Sequence, residues 1–224
     1  MTSFTMPSRR PLLATALFGA TLLSLGGCAW MSSSKAQGGA IGAATGAGVG
    51  AIIGNNTGST ARGAIIGAVV GGAAGVIIGN QMDQQAKELK LNIPGATVER
   101  VGEGINITFA SGLLFDTDQD VIKPGAQTNL HNLVASITKW PNTALLIVGH
   151  TDAQGTTEHN QALSQRRSEA ASLFLQQQNV NANRIRTMGR GELEPVASND
   201  TEAGRSHNRR IEVAIYSNAA AMNK

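Results

Sequence analysis

Apolar positions along this chain fall into three textures. Pro11 to Leu25 is a continuous apolar stretch behind Arg9 and Arg10, shorter than the roughly 20 residues that span a bilayer comfortably. From Gly38 to Gly79 glycine returns at every fourth position: Gly38, Gly42, Gly46, Gly50 and Gly54, then, past a polar break over 55–62, Gly63, Gly67, Gly71, Gly75 and Gly79. Glycine costs up to ~1 kcal/mol against alanine inside a helix, so such a ladder is tolerable only where bare backbone ridges pack closely on a partner. The pattern predicts two apolar helices joined by a polar turn, a helical hairpin within 38–82 that can self-associate into a homo-oligomer. Each arm has about 17 residues, the lower edge for crossing a hydrocarbon core. Asp83 to Leu91 is polar and helix-prone, and Asn92-Ile93-Pro94-Gly95 ends it in a turn, which makes 83–95 a linker.

The third texture, over 96–218, is that of an independent domain, with a short tail at 219–224. Thr97 to Val101 and Ile105 to Phe109 flank Gly102-Glu103-Gly104 and predict a hairpin. Pro124 opens an amphipathic helix in which Leu130, Leu133, Val134 and Ile137 follow the i, i+3, i+4, i+7 rule. Leu145 to Val148, between Pro141 and Gly149, is a buried strand; a second helix runs from near Thr157 to Gln178. Ile185 to Met188 and Ile211 to Ile215 complete the strands, with Ile211, Val213 and Ile215 turned inward. The expected class is α+β: an α/β sandwich, a mixed sheet of about four strands with helices on one face.

Composition changes the picture at the N-terminus. Arg9-Arg10, the apolar stretch and the small pair Gly26-Gly27 before Cys28, the one cysteine, read as a signal peptide over 1–27. Leu25-Gly26-Gly27-Cys28 resembles a bacterial lipobox, which implies a mature chain beginning at lipidated Cys28 and followed by a linker over 28–37. Three acyl chains form an effectively permanent anchor. Ala29, in place of an aspartate, implies the outer membrane, with the C-terminal domain in the periplasm. An ordinary signal peptide with an incidental cysteine is the alternative. Processing removes two basic side chains and no acidic ones, lowering the formal charge from +3 to +1, so the pI of 9.4 is no argument for nucleic acid. With Cys28 acylated no disulfide can form, and stability must come from packing.

The candidate chemistry lies at Gly149-His150-Thr151-Asp152 and at Arg167 on the helix that follows. A carboxylate on a turn and a guanidinium on the next helix can hold the ammonium and the carboxylate of one amino-acid centre. Leu163, Ala170 and Phe174 share a helix face, and Arg167 falls on it, so its charge points inward or across the strand ends and needs Asp152, another acid or a ligand as counterpart. A permanent Asp152–Arg167 salt bridge, or an arginine that snorkels at the helix end, remains open at this point. Asp116-Thr117-Asp118-Gln119-Asp120 has the alternating acids of a calcium loop, but Val121 replaces the required glycine and Gln127 the bidentate glutamate. The four histidines have no ligand spacing for zinc. No metal, cofactor or enzymatic activity is expected.

Phe115-Asp116, Gly149-His150-Thr151-Asp152, Asn160, Leu163-Ser164 with Arg166-Arg167, and Gly204-Arg205 with Asn208-Arg209-Arg210 together resemble the OmpA C-terminal domain family, shared with peptidoglycan-associated lipoproteins. The glycine repeat resembles the glycine-zipper family. The resemblance implies noncovalent binding to the diaminopimelate of the peptidoglycan stem peptide. By it, Asp152 would take the ligand ammonium, with Thr151 beside it, and Arg167 the carboxylate. Asn160 would add an amide hydrogen bond, Asp116 and Arg209 would line the opposite wall, and backbone N–H groups after Asp152 would favour the anion. Arg210 is expected in an internal ion pair, Arg166 in solvent, His150 as a hydrogen-bonded framework residue, and Ser198 to Ser206 as a long polar loop that departs from the family pattern. The function so implied is an outer-membrane lipoprotein that tethers membrane to wall. The rival is a membrane-active or pore-forming glycine-zipper protein that wall binding merely positions.

Overall fold

The computed structural model describes residues 59–70 and 76–217. The expected signal peptide, lipidated Cys28, the linker over 28–37, the first glycine arm and the tail lie outside them.

Among the described residues five strands make one mixed sheet: β1 (Ala96–Val101), β2 (Gly104–Ala110), β3 (Thr143–Gly149), β4 (Ile185–Gly189) and β5 (Arg210–Ser217), in the order β1-β2-β5-β3-β4. The helices are α1 (Thr60–Val70), α2 (Val76–Asn92), α3 (Ser111–Leu114), α4 (Gln127–Lys139), α5 (Thr157–Gln177) and α6 (Glu202–Asn208). The mixed α/β class stands, with one strand more than the four expected. β5, last in sequence, enters antiparallel between β2 and β3, while β3 and β4 run parallel because α5 crosses between them.

The main core lies between one sheet face, carrying Ile105, Ile107, Phe109, Leu145, Ile147, Ile211, Val213 and Ile215, and helices α2, α4 and α5. The inward alternation of Ile211, Val213 and Ile215 is as the pattern predicts. α2 was expected as zipper end plus linker. Met82, Ala86, Leu89 and, just beyond it, Ile93 are instead buried in this core, and their spacing of four, three and four residues is the amphipathic signal that the polar composition of 83–91 obscures.

The second face of the sheet is covered too, contrary to the expectation of helices on one face. Ala61, Ala64 and Ile65 of α1 pack on Leu146, Val148, Ala214 and Tyr216, so β5 is buried on both sides. β2 begins with a glycine because of this helix: a Cβ on Gly104 would lie 2.4 Å from Ile65 Cγ2 and 2.6 Å from the Ile215 carbonyl oxygen. α1 contains Gly63 and Gly67 of the second glycine arm, Gly63 buried and Gly67 half-buried, while Ala61, Ala64 and Ile65 are the apolar side chains that meet the sheet. Among the described residues no helix is long and apolar enough to cross a membrane.

Candidate binding site at the end of β3

The site forms where β3 ends and β5 begins. Their antiparallel register sets Gly149 against Ile211, and the His150 N–H donates to the Arg210 carbonyl at 2.9 Å. Thr151 and Asp152 therefore emerge beside Arg209, 57 positions away in sequence. α5 presses on the same strand ends: a Cβ on Gly149 would come within 2.1 Å of the Ser164 carbonyl oxygen, and one on Gly189 within 2.5 Å of the Gln165 nitrogen. The Thr156 hydroxyl caps α5, accepting from the His159 N–H at 3.2 Å. The buried stripe of α5 is Asn160, Leu163, Ser164, Arg167, Ser168, Ala171, Ser172 and Leu175. Arg167 points inward as expected, whereas Ala170 and Phe174 sit at the edge of the stripe, half-buried.

A cleft of about 540 Å³, within the size range of ligand sites, is lined by Asp116, Thr151, Asp152, Asn160, Arg167 and Arg209 among others. All six residues singled out in the sequence thus meet at one place. Arg167 is 4% exposed. Its Nε donates to the Gln119 carbonyl at 2.8 Å and its Nη2 to that of Asp116 at 3.2 Å, and its guanidinium lies 5.3 Å from the Phe115 ring centroid. Backbone carbonyls answer the inward charge; among the described residues no carboxylate is in salt-bridge contact with it. Burial lowers the Arg167 pKa, while Asp118 and Asp120 raise it across the loop. The permanent Asp152–Arg167 bridge left open above is not formed.

Asp152 is buried and is not left unpaired. Its Oδ2 accepts from Arg209 Nη1 at 2.6 Å and its Oδ1 from the Gln154 N–H at 3.0 Å. Arg209 reaches across to Glu202 as well, Nη2 to Oε1 at 2.6 Å. Hydrogen bonds to Asp152 and then to Glu202 raise the Arg209 pKa, and those from Arg209 and Arg205 hold the Glu202 carboxyl below its ordinary range. The Thr151 hydroxyl oxygen is buried without a hydrogen-bond partner. Asn160 Nδ2 donates to Glu192 at 2.5 Å. The exposed Asp116 carboxylate pairs with Lys123 at 3.2 Å. Backbone N–H groups after Asp152 are engaged inside the protein, Ala153 with Asn199 Oδ1 at 3.2 Å and Gln154 with Asp152 itself, so they do not form the anion site expected of them. Arg166 is exposed to solvent as expected and bridges Asp120 there at 2.7 Å.

Behind this rim lies a buried group of charges. Arg210 Nε donates to Glu212 at 2.7 Å, the internal ion pair expected of it. Glu212 also accepts from the Ser59 hydroxyl at 2.9 Å; Glu194 accepts from the Thr60 N–H at 3.0 Å, from the Thr60 hydroxyl and from Arg190 Nε at 2.9 Å. The two carboxylates therefore hold the N-terminus of α1 on the sheet, where helix ends favour negative charge. His150 sits between them, fully buried, each ring nitrogen 4.0 Å from a carboxylate oxygen and without a hydrogen bond, unlike the framework role expected. Burial first, then the charges of Arg210 and Arg190, hold its pKa well below the ordinary 6.5.

Glu202 was missed in the sequence because Ser198 to Ser206 read as a loop. The structure has α6 there, with Thr201 capping it by accepting from the Gly204 N–H at 3.1 Å. Glu202, Arg205 and Arg209 at i, i+3 and i+7 are the pattern that betrays it.

The OmpA family pattern matches residues 114–209, and the YMGG-like Gly-zipper pattern matches residues 6–83. The chain is 35% identical over 136 residues to the probable lipoprotein YiaD of Escherichia coli, a match covering 60% of this chain and 62% of that protein. It is 35% identical over 129 residues to the peptidoglycan-associated lipoprotein of Agrobacterium fabrum, covering 58% of this chain and 73% of that one. The match to outer membrane porin F of Pseudomonas fluorescens, at 41% identity, spans 32% of that longer protein. Among solved structures, a MotB-like protein from Desulfovibrio vulgaris shares the fold with a TM-score of 0.58 at 21% identity, over 63% of this chain and 91% of that one. The type VI secretion cell wall anchor of Pseudomonas aeruginosa has a TM-score of 0.53 at 25% identity, over 61% of this chain and 96% of that one. The chain belongs to the OmpA family and carries the family's domain behind a YMGG-like glycine-zipper segment.

Proposed function

We propose that this protein is an outer-membrane lipoprotein that binds peptidoglycan noncovalently and so ties the membrane to the wall, with the diaminopimelate of the stem peptide as the group held in the cleft. The observation that carries the reading is the pair of opposite charges in one cleft: buried Arg167, without a carboxylate in contact among the described residues, and buried Asp152. A guanidinium fixed by carbonyls on one edge keeps its remaining N–H groups for a carboxylate, and Asp152 offers an acceptor for an ammonium. The relatives named as peptidoglycan-associated lipoproteins support the wall as partner, and the lipobox at Cys28 supports the lipid anchor. One zwitterionic centre offers few atoms, so each contact is weak; anchoring beside a polymer of identical stems raises the effective concentration and supplies avidity. The role is binding, without turnover.

Calorimetry of the protein with a diaminopimelate-containing muropeptide tests the site, and co-sedimentation with purified sacculi tests the tether. Asp152→Asn and Arg167→Lys each weaken muropeptide binding by at least about tenfold, the loss of one charge-assisted contact, and release the protein from sacculi. Both variants binding as the parent does would remove the site from consideration.

A further inference from the structure

In the empty cleft Arg209 holds Asp152 Oδ2 at 2.6 Å, so a ligand ammonium that takes this oxygen competes for it with Arg209. Its backbone is fixed on both sides. Asn208 is fully buried, its side chain bonded to the Val196 and Ala197 N–H groups at 2.8 and 3.0 Å and to the Ala197 carbonyl at 2.9 Å. Arg210 is buried in its ion pair, and the Arg209 carbonyl accepts from the Ser111 N–H at 2.8 Å. The freedom therefore lies in the side chain, which is 34% exposed and already shared between two carboxylates, 2.6 Å from each.

Those two acceptors are unequal. Asp152 is 8% exposed and Glu202 65%, so Asp152 gains most from a desolvated cation, whether guanidinium or ammonium, while Glu202 stays within reach of water in either case. Glu202 is itself steadied by Arg205, Nε to Oε2 at 3.1 Å, one turn along α6. The helix is locked to the preceding loop, since a Cβ on Gly204 would fall 1.9 Å from the Ser198 carbonyl oxygen. Asn199 Oδ1 ties that loop to the Asp152 turn through the Ala153 N–H at 3.2 Å.

We infer that Glu202 is a positioning residue that draws Arg209 off Asp152 when a ligand ammonium arrives, so that the cleft opens by passing one guanidinium between two carboxylates. The inference rests on the proposed zwitterion site and adds to it a residue that touches Arg209 and not the ligand. In the empty cleft Arg209 bridges both acids and neutralises buried Asp152. In the occupied cleft the ammonium takes Asp152 Oδ2, Arg209 keeps Glu202, and its freed Nη1 edge turns toward the ligand carboxylate. Glu202 thereby spares the arginine a state without an anionic partner.

A double-mutant cycle on the full chain, read by calorimetry with meso-diaminopimelate and with the muropeptide, tests this. Glu202→Gln weakens binding about fivefold, the effect of one well-formed exposed ion pair, with the melting temperature unchanged. Placed on Arg209→Gln, the same Glu202→Gln change has no further effect, because it acts through the arginine. Equal weakening in both backgrounds would mean that Glu202 meets the ligand directly, and no weakening in the parent would mean that it positions nothing; either result overturns the inference. Where Arg209→Gln binds too weakly to be read, the ¹⁵N guanidinium signals of Arg209 decide. They shift on ligand addition in the parent and lose their hindered rotation in ligand-bound Glu202→Gln; signals that ignore the ligand overturn the inference. Failure of the parent to bind either probe is a different result and removes the zwitterion site itself.

Discussion

Arg209 and Arg210 are neighbours in sequence and belong to two different kinds of electrostatics. Arg210 is 3% exposed and fixed on Glu212, in a group with His150, Glu194 and the first residues of α1, on the back of the sheet. Arg209, 34% exposed, spans Asp152 and Glu202 at the mouth of the cleft. The alternation of a strand sends adjacent side chains to opposite sides, and the environments do the rest. In the interior each charge has one arrangement, and leaving one partner unpaired is expensive. At the rim, water makes the alternatives close in energy, so a charge can change partner. A buried ion pair thus serves as a fastener and a half-exposed one as a moving part.

The contrast breaks most sharply by truncation. Arg210→Ala leaves Glu212 buried without its cation and costs about 3–5 kcal/mol, whereas Arg209→Ala leaves Asp152 with the Gln154 N–H at the mouth of the cleft, costs about 1–3 kcal/mol and acts on ligand binding; chemical denaturation of both variants gives the comparison, and equal losses would erase it. Acidity separates the two regions next. Because the His150 pKa is depressed in the folded protein, the unfolded chain takes up the proton first. Stability is therefore complete above about 6.5 and is lost as pH falls below it, at a slope of up to about 1.4 kcal/mol per pH unit. His150→Gln flattens the fall in melting temperature between pH 6.5 and the acid side. A slope unchanged by that substitution would assign the acid sensitivity to other groups. The smallest effect is at the start of α1: Thr60→Ala removes the hydroxyl bond to buried Glu194, costs about 1 kcal/mol, and raises hydrogen exchange over Ala61 to Ile65 without altering muropeptide binding.

Much of the fold was legible because its signals are local. The hairpin over Thr97 to Phe109 is bounded by glycines, the helix after Pro124 carries a clean apolar stripe, and the Ile211, Val213, Ile215 alternation marks a core-facing edge; all three stand in the structure. The cleft residues were legible through motif resemblance, and Arg167 additionally through its place on an apolar face. Three features escaped. α2 hides its buried positions among polar neighbours, α6 resembles a loop because its seven residues are polar or small, and α1 carries the glycines of a zipper while its Ala61, Ala64 and Ile65 stripe covers the sheet.

Residue order by itself determined the periodicities, the turns, the glycines that admit close approach, and the presence of one acid and one guanidinium suited to a zwitterion. Which charges meet was decided by the tertiary structure alone. Partner choice depends on burial and on distances between residues far apart in the chain, such as Asp152 and Arg209, 57 positions apart, and the register of β5 against β3 sets those distances. A local pattern can place a charge on a face, but only the assembled sheet fixes the dielectric around it and the carboxylate it finds there.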